Sequence, residues 1–398
     1  MWRSESSRSS NLRPPQATGR LALLTSGTAL LLLSLATVTA RAEDLQRPSK
    51  LIQTPLGNLL VAEVGPPAQL NSSRISIVDA AGNRRTLLGG LPSAVNAAKS
   101  PTGASGLYLR GRTLFVAIGE GDVTRPGPLP RTEVANPTPA STLFSSVLAV
   151  HFSAGVERET TGVELTPADH RALKAGRRLV LSDAAGRKVT VELVVDFPDY
   201  RPEPLPTLAT NVRHSHPYGV VADDDSLYVV DGGFNLVHRV GIETGRYETL
   251  VSFPTTPNPT AFGPRQIENV PTSIRWDGDR LLVTLLSGFP FINGLSEVHR
   301  VDPDTGVDVA LIRGLGSAID VIALAEDDQT VGFLTLEYSL AHRTLGPGRL
   351  QLFDASANPV AVIAADLVTP SSMVYDRGTG TVIVAEINTG KLVFIPLP

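Results

Sequence analysis

Four acidic residues stand at matching places in this chain, each closing a short apolar run. Glu63 follows "LLVA", Asp231 follows "SLYVV", Glu337 follows "GFLTL" and Glu386 follows "TVIVA". A second series sits at the start of the preceding runs: Ser105, Tyr218, Thr272, Asp320 and Ser371, with His214 and His216 just upstream of Tyr218. Asn235 lies in the loop after Asp231. Carboxylates converging on one cavity repel one another unless a cation bridges them, and oxygen ligands suit calcium. Glu63, Asp231, Asp320 and Glu386 are the candidate metal set. The competing role is local, with each acid accepting backbone N–H bonds from its own loop. His214-x-His216 puts two imidazoles on one side of an extended segment. Zinc needs at least one more protein ligand and none is marked nearby, so a paired or stacked loop histidine is the favoured reading. No G-x-S-x-G, H-E-x-x-H, P-loop or dinucleotide fingerprint occurs. "GEGD" (119–122) lacks the strand-and-helix context of a phosphate site.

The elements that must position these residues are repeated. "LIQTPLGNLLVAEVG", "ASGLYLRGRTLFVAIGEG", "PYGVVADDDSLYVVDGG", "PTSIRWDGDRLLVTLLSG", "AIDVIALAEDDQTVGFLTLEYS" and "PSSMVYDRGTGTVIVAEINTG" each read as strand, tight Gly/Asp turn, strand. Third strands follow ("RISIVD", "VHRVG", "EVHRVD", "RLQLFD"), and a fourth leads to the next copy. Copies recur about every 50 residues, the pattern of an all-β array. A four-stranded unit cannot bury both faces alone, whereas a closed ring of units can. The predicted fold is a six-bladed β-propeller over 43–398, with five or seven blades open if an end copy is miscounted. The last copy lacks an outer strand, which a segment near 43–49 could supply. Segments before first strands and loops after second strands then converge on one mouth of the central channel. The mouth set is Glu63, Ser105, His216, Tyr218, Asp231, Asn235, Thr272, Asp320, Glu337, Ser371 and Glu386. The Asp223–Asp225 run is predicted to be a hairpin turn at the opposite face. One insertion, about 156–188 in the second blade, reads as a short helix capped at Thr166-Pro167 followed by a hairpin around "AAGR". It is expected at the face opposite the mouth, with His170 on the surface.

Arg3, Arg8, Arg13 and Arg20 precede the apolar run Leu21–Val38, and Ala40-Arg41-Ala42 is a small-x-small cleavage pattern. Residues 1–42 therefore read as a Sec-type signal peptide, the alternative being a retained anchor. The expected destination is periplasmic or extracellular. Residues 1–42 hold five arginines and one glutamate, so their removal shifts the net charge from −4 to −8. That balance argues against nucleic acid or an anionic membrane as partner. With no cysteine in the chain, disulfides and thiolate metal sites are excluded. A monomer is expected.

"LPSAVN", "TGASGL", "HPYGVVADDDSLYVVDGGFNLVHRV", "VPTSIRW" and "SGFPFINGLSEVHRV" occur in the order seen in the ScyD/ScyE family. The chain resembles these exported propeller proteins over nearly all of 50–398. The resemblance implies a six-bladed propeller of the NHL/TolB-like kind and assigns no activity. The family's usual Asn before Pro-Tyr-Gly is His216 here, and the inserted arm is longer. The reading that follows is a non-catalytic propeller binding a small molecule, glycan or protein at the mouth. The enzymatic alternative is a calcium-dependent lactonase or esterase similar in architecture to the gluconolactonases. That family places a Glu where "TGASG" here has Ser105.

Overall fold

The computed structural model describes residues 39–41 and 44–398. The alternating apolar runs form six antiparallel blades around one axis. Their innermost strands are Pro48–Gln53, Ala104–Arg110, Pro217–Ala222, Asn269–Asp277, Ala318–Glu326 and Pro370–Asp376. Each is paired through a hairpin to a second strand, ending at Glu63, Ile118, Asp231, Ser287, Glu337 and Glu386. The buried apolar side chains divide into six clusters, one in each seam between neighbouring blades. Both faces of a blade are thereby covered, as the continuous apolar runs require. The Asp223–Asp225 run is a turn: Asp223 Oδ1 accepts the N–H groups of Asp225 (2.9 Å) and Ser226 (2.6 Å).

One irregularity recurs in every blade. The first strand has a β-bulge at one residue: Ser49, Ser105, Tyr218, Thr272, Ile319 and Ser371 in turn. A bulge re-aims a side chain out of the alternation. Four of these residues are serine or threonine, and each hydroxyl donates to the first residue of the next blade. Ser49 reaches Ala104 O (2.7 Å), Ser105 reaches Pro217 O (2.7 Å), Thr272 reaches Ala318 O (3.1 Å) and Ser371 reaches Pro48 O (2.6 Å). These bonds stitch the ring around its axis. Ser105, Thr272 and Ser371, expected at a ligand, are therefore occupied in holding blades together.

The residue after the bulge faces the axis. In blade 5 it is Asp320, fully buried, whose carboxylate accepts from Lys50 Nζ of blade 1 (3.0 Å) and from Arg275 of blade 4 (2.7 and 3.1 Å). Ser273 Oγ and the Met373 N–H complete the shell at 2.6 and 3.2 Å. Burial alone would raise the Asp320 carboxyl, but the Arg275 and Lys50 charges reverse that and hold it well below the usual carboxylate range. Burial, reinforced by Arg275, pushes the Lys50 ammonium down to about 8. Asp320 thus belongs to an ion cluster inside the channel, and the sequence expectation that it is a mouth ligand is corrected.

The arm also departs from expectation. It contains the helices Ala154–Glu159 and Pro167–Lys174, the second with a Thr166/Asp169 capping box, and the hairpin strand Leu179–Ser182. Val163–Glu164 adds a parallel strand to blade 1, and Val156, Val163, Leu165 and Leu173 join the core of the seam between blades 1 and 2. The arm therefore starts at the opposite face, where Glu157 takes Thr54, Asn58 and Arg112 of the hairpins, and climbs that seam toward the mouth side. His170 is buried, with its ring nitrogens on Ser141 Oγ (2.9 Å) and Gly90 O (2.8 Å). The chain passes so close at Gly90 that a Cβ would lie 2.0 Å from Leu165 O, and its φ of +66° also favours glycine.

The outer strand of blade 6 is Thr39–Arg41, paired with Leu392–Phe394, and not residues 43–49. The latter cannot serve, because Gln46 already caps Glu63 and Pro48 opens the first blade. Thr39–Arg41 fall inside the expected leader, so cleavage after Ala42 would take this strand from blade 6; the rest of the leader lies outside the described residues. Among the described residues no helix is long and apolar enough to cross a membrane.

Asp320→Ala is expected to cost about 3–5 kcal/mol, because it leaves the buried Lys50 and the half-buried Arg275 without a counter-charge; urea unfolding measures this. Lys50 adds a pH signature. Between about 8 and the ordinary 10.5 the unfolded chain holds a proton that the folded chain has released. Lys50 therefore makes folding more favourable as pH rises through that window. The stability of the wild type minus that of Lys50→Met should increase from pH 8 to pH 10.

Candidate functional site

The acids that close the second strands are all brought to the mouth side, and each is consumed within its own blade. Glu63 is fully buried and accepts from Gln46 N, Ser76 Oγ, Arg74 (3.2 Å) and Arg84 (3.0 Å). Asp231 accepts from Ser215 Oγ and from the N–H groups of His216 (2.8 Å), Gly233 (2.9 Å) and Phe234 (2.9 Å). Burial works to raise its carboxyl, and these bonds with the neighbouring His238 overcome that and lower it. Glu337 takes the Gly316 N–H and the Arg349 guanidinium; Glu386 takes the Val368 N–H and the Thr389 hydroxyl, both at 2.7 Å. The capping role is the one realised. Glu63, Asp231, Asp320 and Glu386 do not form one cation site, because each is satisfied by separate partners. Asn235 is a buried turn residue at φ +55°, its amide placed to donate to Gly232 O (3.1 Å) and accept from Arg213 (2.8 Å).

What remains at the mouth lies off-axis, over blades 2 and 3. Tyr218 forms part of the floor: its ring packs into apolar clusters of the seams on both sides of the axis, and burial, with Tyr338 and Asp320 nearby, pushes its phenol up to about 12. Its ring lies 5.3 Å from His216, which is 6.5 Å from His214. Burial pushes the His216 imidazole down to about 4, against the pull of the Asp231 carboxylate.

The residue that sequence reasoning missed is Glu120. Blade 2 has Ile118 where other blades have their capping acid, and the carboxylate comes two residues later, in "GEGD". Glu120 is 1 % exposed, accepts from Asn96 Nδ2 (2.6 Å) through Oε1, and turns Oε2 onto His216 Nδ1. Glu120, His214 and His216 each offer one ligand atom, all within 4.8 Å of one another. Among the described residues they form the single group of three or more such side chains placed to share an ion. The His-x-His pair and a displaced acid are visible in the sequence; their convergence is not.

Behind His214, Glu133 Oε2 receives Nδ1 at 2.8 Å, and Thr124 donates to the same carboxylate. Beside this pair opens a polar pocket of about 350 Å³, lined by Glu133, Glu203, Asn211, Arg213, His214 and Glu268 among others. Its rim is apolar. Arg131 lies over the Phe289 ring at 3.8 Å, Phe262 packs 5.6 Å from Phe289, and Phe291 stacks on His342 at 3.9 Å.

No family model matches the sequence, and no curated protein is similar to it in sequence. Solved structures are similar in fold. A protein described as an oxidoreductase (glucose dehydrogenase) from Thermus thermophilus has a TM-score of 0.51 at 14% identity, covering 91% of this chain and 100% of that one. Virginiamycin B lyase from Staphylococcus aureus has 0.46 at 13% identity, covering 91% and 99%. The PQQ-bound aldose sugar dehydrogenase from Streptomyces coelicolor has 0.47 at 13%, covering 90% and 98%. At these identities the likeness shows the propeller fold alone.

Asp231→Ala leaves three buried N–H groups without their acceptor, at an expected cost of about 3 kcal/mol. The measurement is the urea midpoint at unchanged m-value. Unaltered stability in this variant would contradict the capping role.

Proposed function

We propose that the protein is an exported, ScyD/ScyE-like propeller that binds a small hydroxyl-rich molecule in the polar pocket at its channel mouth. The observation that carries this reading is the pocket's lining. Carboxylates and an amide alternate with a guanidinium and an imidazole around about 350 Å³, a volume suited to one small molecule. Vicinal hydroxyls donate and accept at once, and such a mixed wall answers both. A purely anionic ligand would meet Glu133, Glu203 and Glu268 unfavourably. Arg213 is half-buried and already paired with Glu268 at 2.7 Å, so it is held in place before a ligand arrives. Export rests on the pattern of residues 1–42.

The calcium-dependent hydrolase reading required Glu63, Asp231, Asp320 and Glu386 to share one ion. Those carboxylates are held apart by their own partners, so binding is the better-supported role.

The test is calorimetric titration with monosaccharides, sugar acids and linear polyols. At least one class should bind, and Arg213→Ala should weaken it about tenfold or more, the equivalent of one charge-assisted hydrogen bond. Absence of binding across the panel, or equal binding by Arg213→Ala and Asn211→Ala, would sink the proposal.

A further inference from the structure

We propose that Glu120, His214 and His216 form a binding site for one divalent first-row transition ion, zinc being the reference case. Two imidazoles and one carboxylate are a complete three-ligand set for such an ion. Imidazole ligands select it over calcium, which prefers oxygen. The ligands come from two blades: Glu120 from the loop after the second strand of blade 2, the histidines from the segment that enters blade 3. Their ligand atoms already lie within 4.8 Å of one another. Rotation of the half-buried imidazoles brings them toward bonds of about 2.0–2.2 Å to a shared ion.

Three features of the surroundings support the assignment. First, Glu120 is buried, and its Oε2 is turned onto the His216 ring instead of onto a backbone or hydroxyl donor. A buried carboxylate is costly to hold ionised without a full counter-charge, and a cation between the two side chains supplies it. Second, His214 hands its Nδ1 to Glu133 at 2.8 Å, which leaves Nε2 as the ligating nitrogen. A carboxylate behind a histidine is the usual way a ligating ring is oriented and made more basic. Third, Gly233 gives His214 room: a Cβ there would lie 3.0 Å from His214 Cδ2 and 2.3 Å from its carbonyl oxygen. The side chains of His214 and His216 are 24% and 17% exposed against 1% for Glu120, so the ion would be anchored from below and open toward the mouth. Three protein ligands leave a fourth position for water or a ligand atom, and His214 also lines the polar pocket.

The site stands on its own ligands, so its test uses no organic ligand. The full-length chain is stripped with chelator, dialysed into metal-free buffer and titrated with Co(II), then Zn(II). Elemental analysis and the visible absorption of Co(II) are recorded. The expected result is about one ion per chain, with Zn(II) displacing Co(II) and calcium failing to do so. Glu120→Gln and His216→Gln should abolish the Co(II) bands. Glu133→Gln should weaken binding about ten- to a hundredfold while leaving the saturating stoichiometry at one. His151→Gln, outside the cluster, should change nothing. Far-UV circular dichroism checks each fold. If Glu120→Gln proves unstable, His214→Asn replaces it, since that side chain is partly exposed. Substoichiometric binding, or binding indifferent to these substitutions, would overturn the proposal and leave Glu120–His216 as a simple carboxylate–imidazole pair. That outcome would leave the pocket reading standing, and loss of polyol binding would equally leave the metal site standing.

Discussion

A ring of blades closes only if each innermost strand is fastened to the next, and here a single hydroxyl does this in four of the six seams. The bulge that aims it is the constraint from which the rest of the architecture follows. It shifts the register of the first strand by one residue just inside the mouth, sending one side chain to the neighbouring blade and the next one to the axis. A hydrogen bond of this kind contributes about 1 kcal/mol, small beside the apolar seams. Its larger effect is to set the phase of one blade against the next. Where no serine or threonine stands at the bulge, bulk takes its place: Tyr218 in blade 3 and Ile319 in blade 5 pack into apolar clusters instead.

The residues sent to the axis are unequal, and that inequality moves the chemistry away from the centre. Blades 1, 4, 5 and 6 supply Lys50, Ser273, Asp320 and Ser372, which knit into one buried polar cluster with Arg275. Blades 2 and 3 supply Gly106 and Gly219, whose backbones touch: a Cβ on Gly106 would lie 2.8 Å from Tyr218 O. At the level of the bulge the axis is therefore filled by ions on one side and by close-packed backbone on the other, while beyond it the first strands line a cavity of about 430 Å³. A ligand approaching from the mouth meets Tyr218 and the loops above blades 2 and 3 before it meets Asp320.

The ring itself is legible in the sequence because its period is carried by many residues at once. Matching the copies puts Glu63, Ile118, Asp231, Leu285, Glu337 and Glu386 at one position. The strand ladders pair them with Pro48, Ala104, Pro217, Pro271, Ala318 and Pro370, the corresponding residue of every first strand. What cannot be read is the bulge, since one extra residue in a short strand leaves no trace in an alternating pattern. The pattern consequently groups Asp320 with Ser105, Thr272 and Ser371, although its counterpart among them is Ile319. His170 is misplaced for a different reason. The arm buries it against Ser141 and Gly90, residues 29 and 80 positions away, and nothing local announces that contact.

The candidate site lies where the repeat breaks its own rule. In blades 1, 3, 5 and 6 an acid closes the second strand and turns back to cap the entry of the same blade. That carboxylate is spent on folding, and its burial follows from its partners. Blade 2 places Ile118 at this point, so its entry is held without an acid, and the next carboxylate, Glu120, is free to face outward across the seam. There it meets the entry segment of blade 3, whose His216 stands directly before the first strand. In blade 3 the capping is still done by Asp231, which takes the backbone N–H of His216 and fixes the segment while leaving its imidazole uncommitted to the cap. A single scaffold position thus separates two uses of one residue type. Acids in register hold blades shut, and the acid two residues out of register is the one whose neighbours are imidazoles. In a repeat protein the in-register polar residues are explained by the fold, so the search for chemistry belongs at the positions that the repeat does not explain.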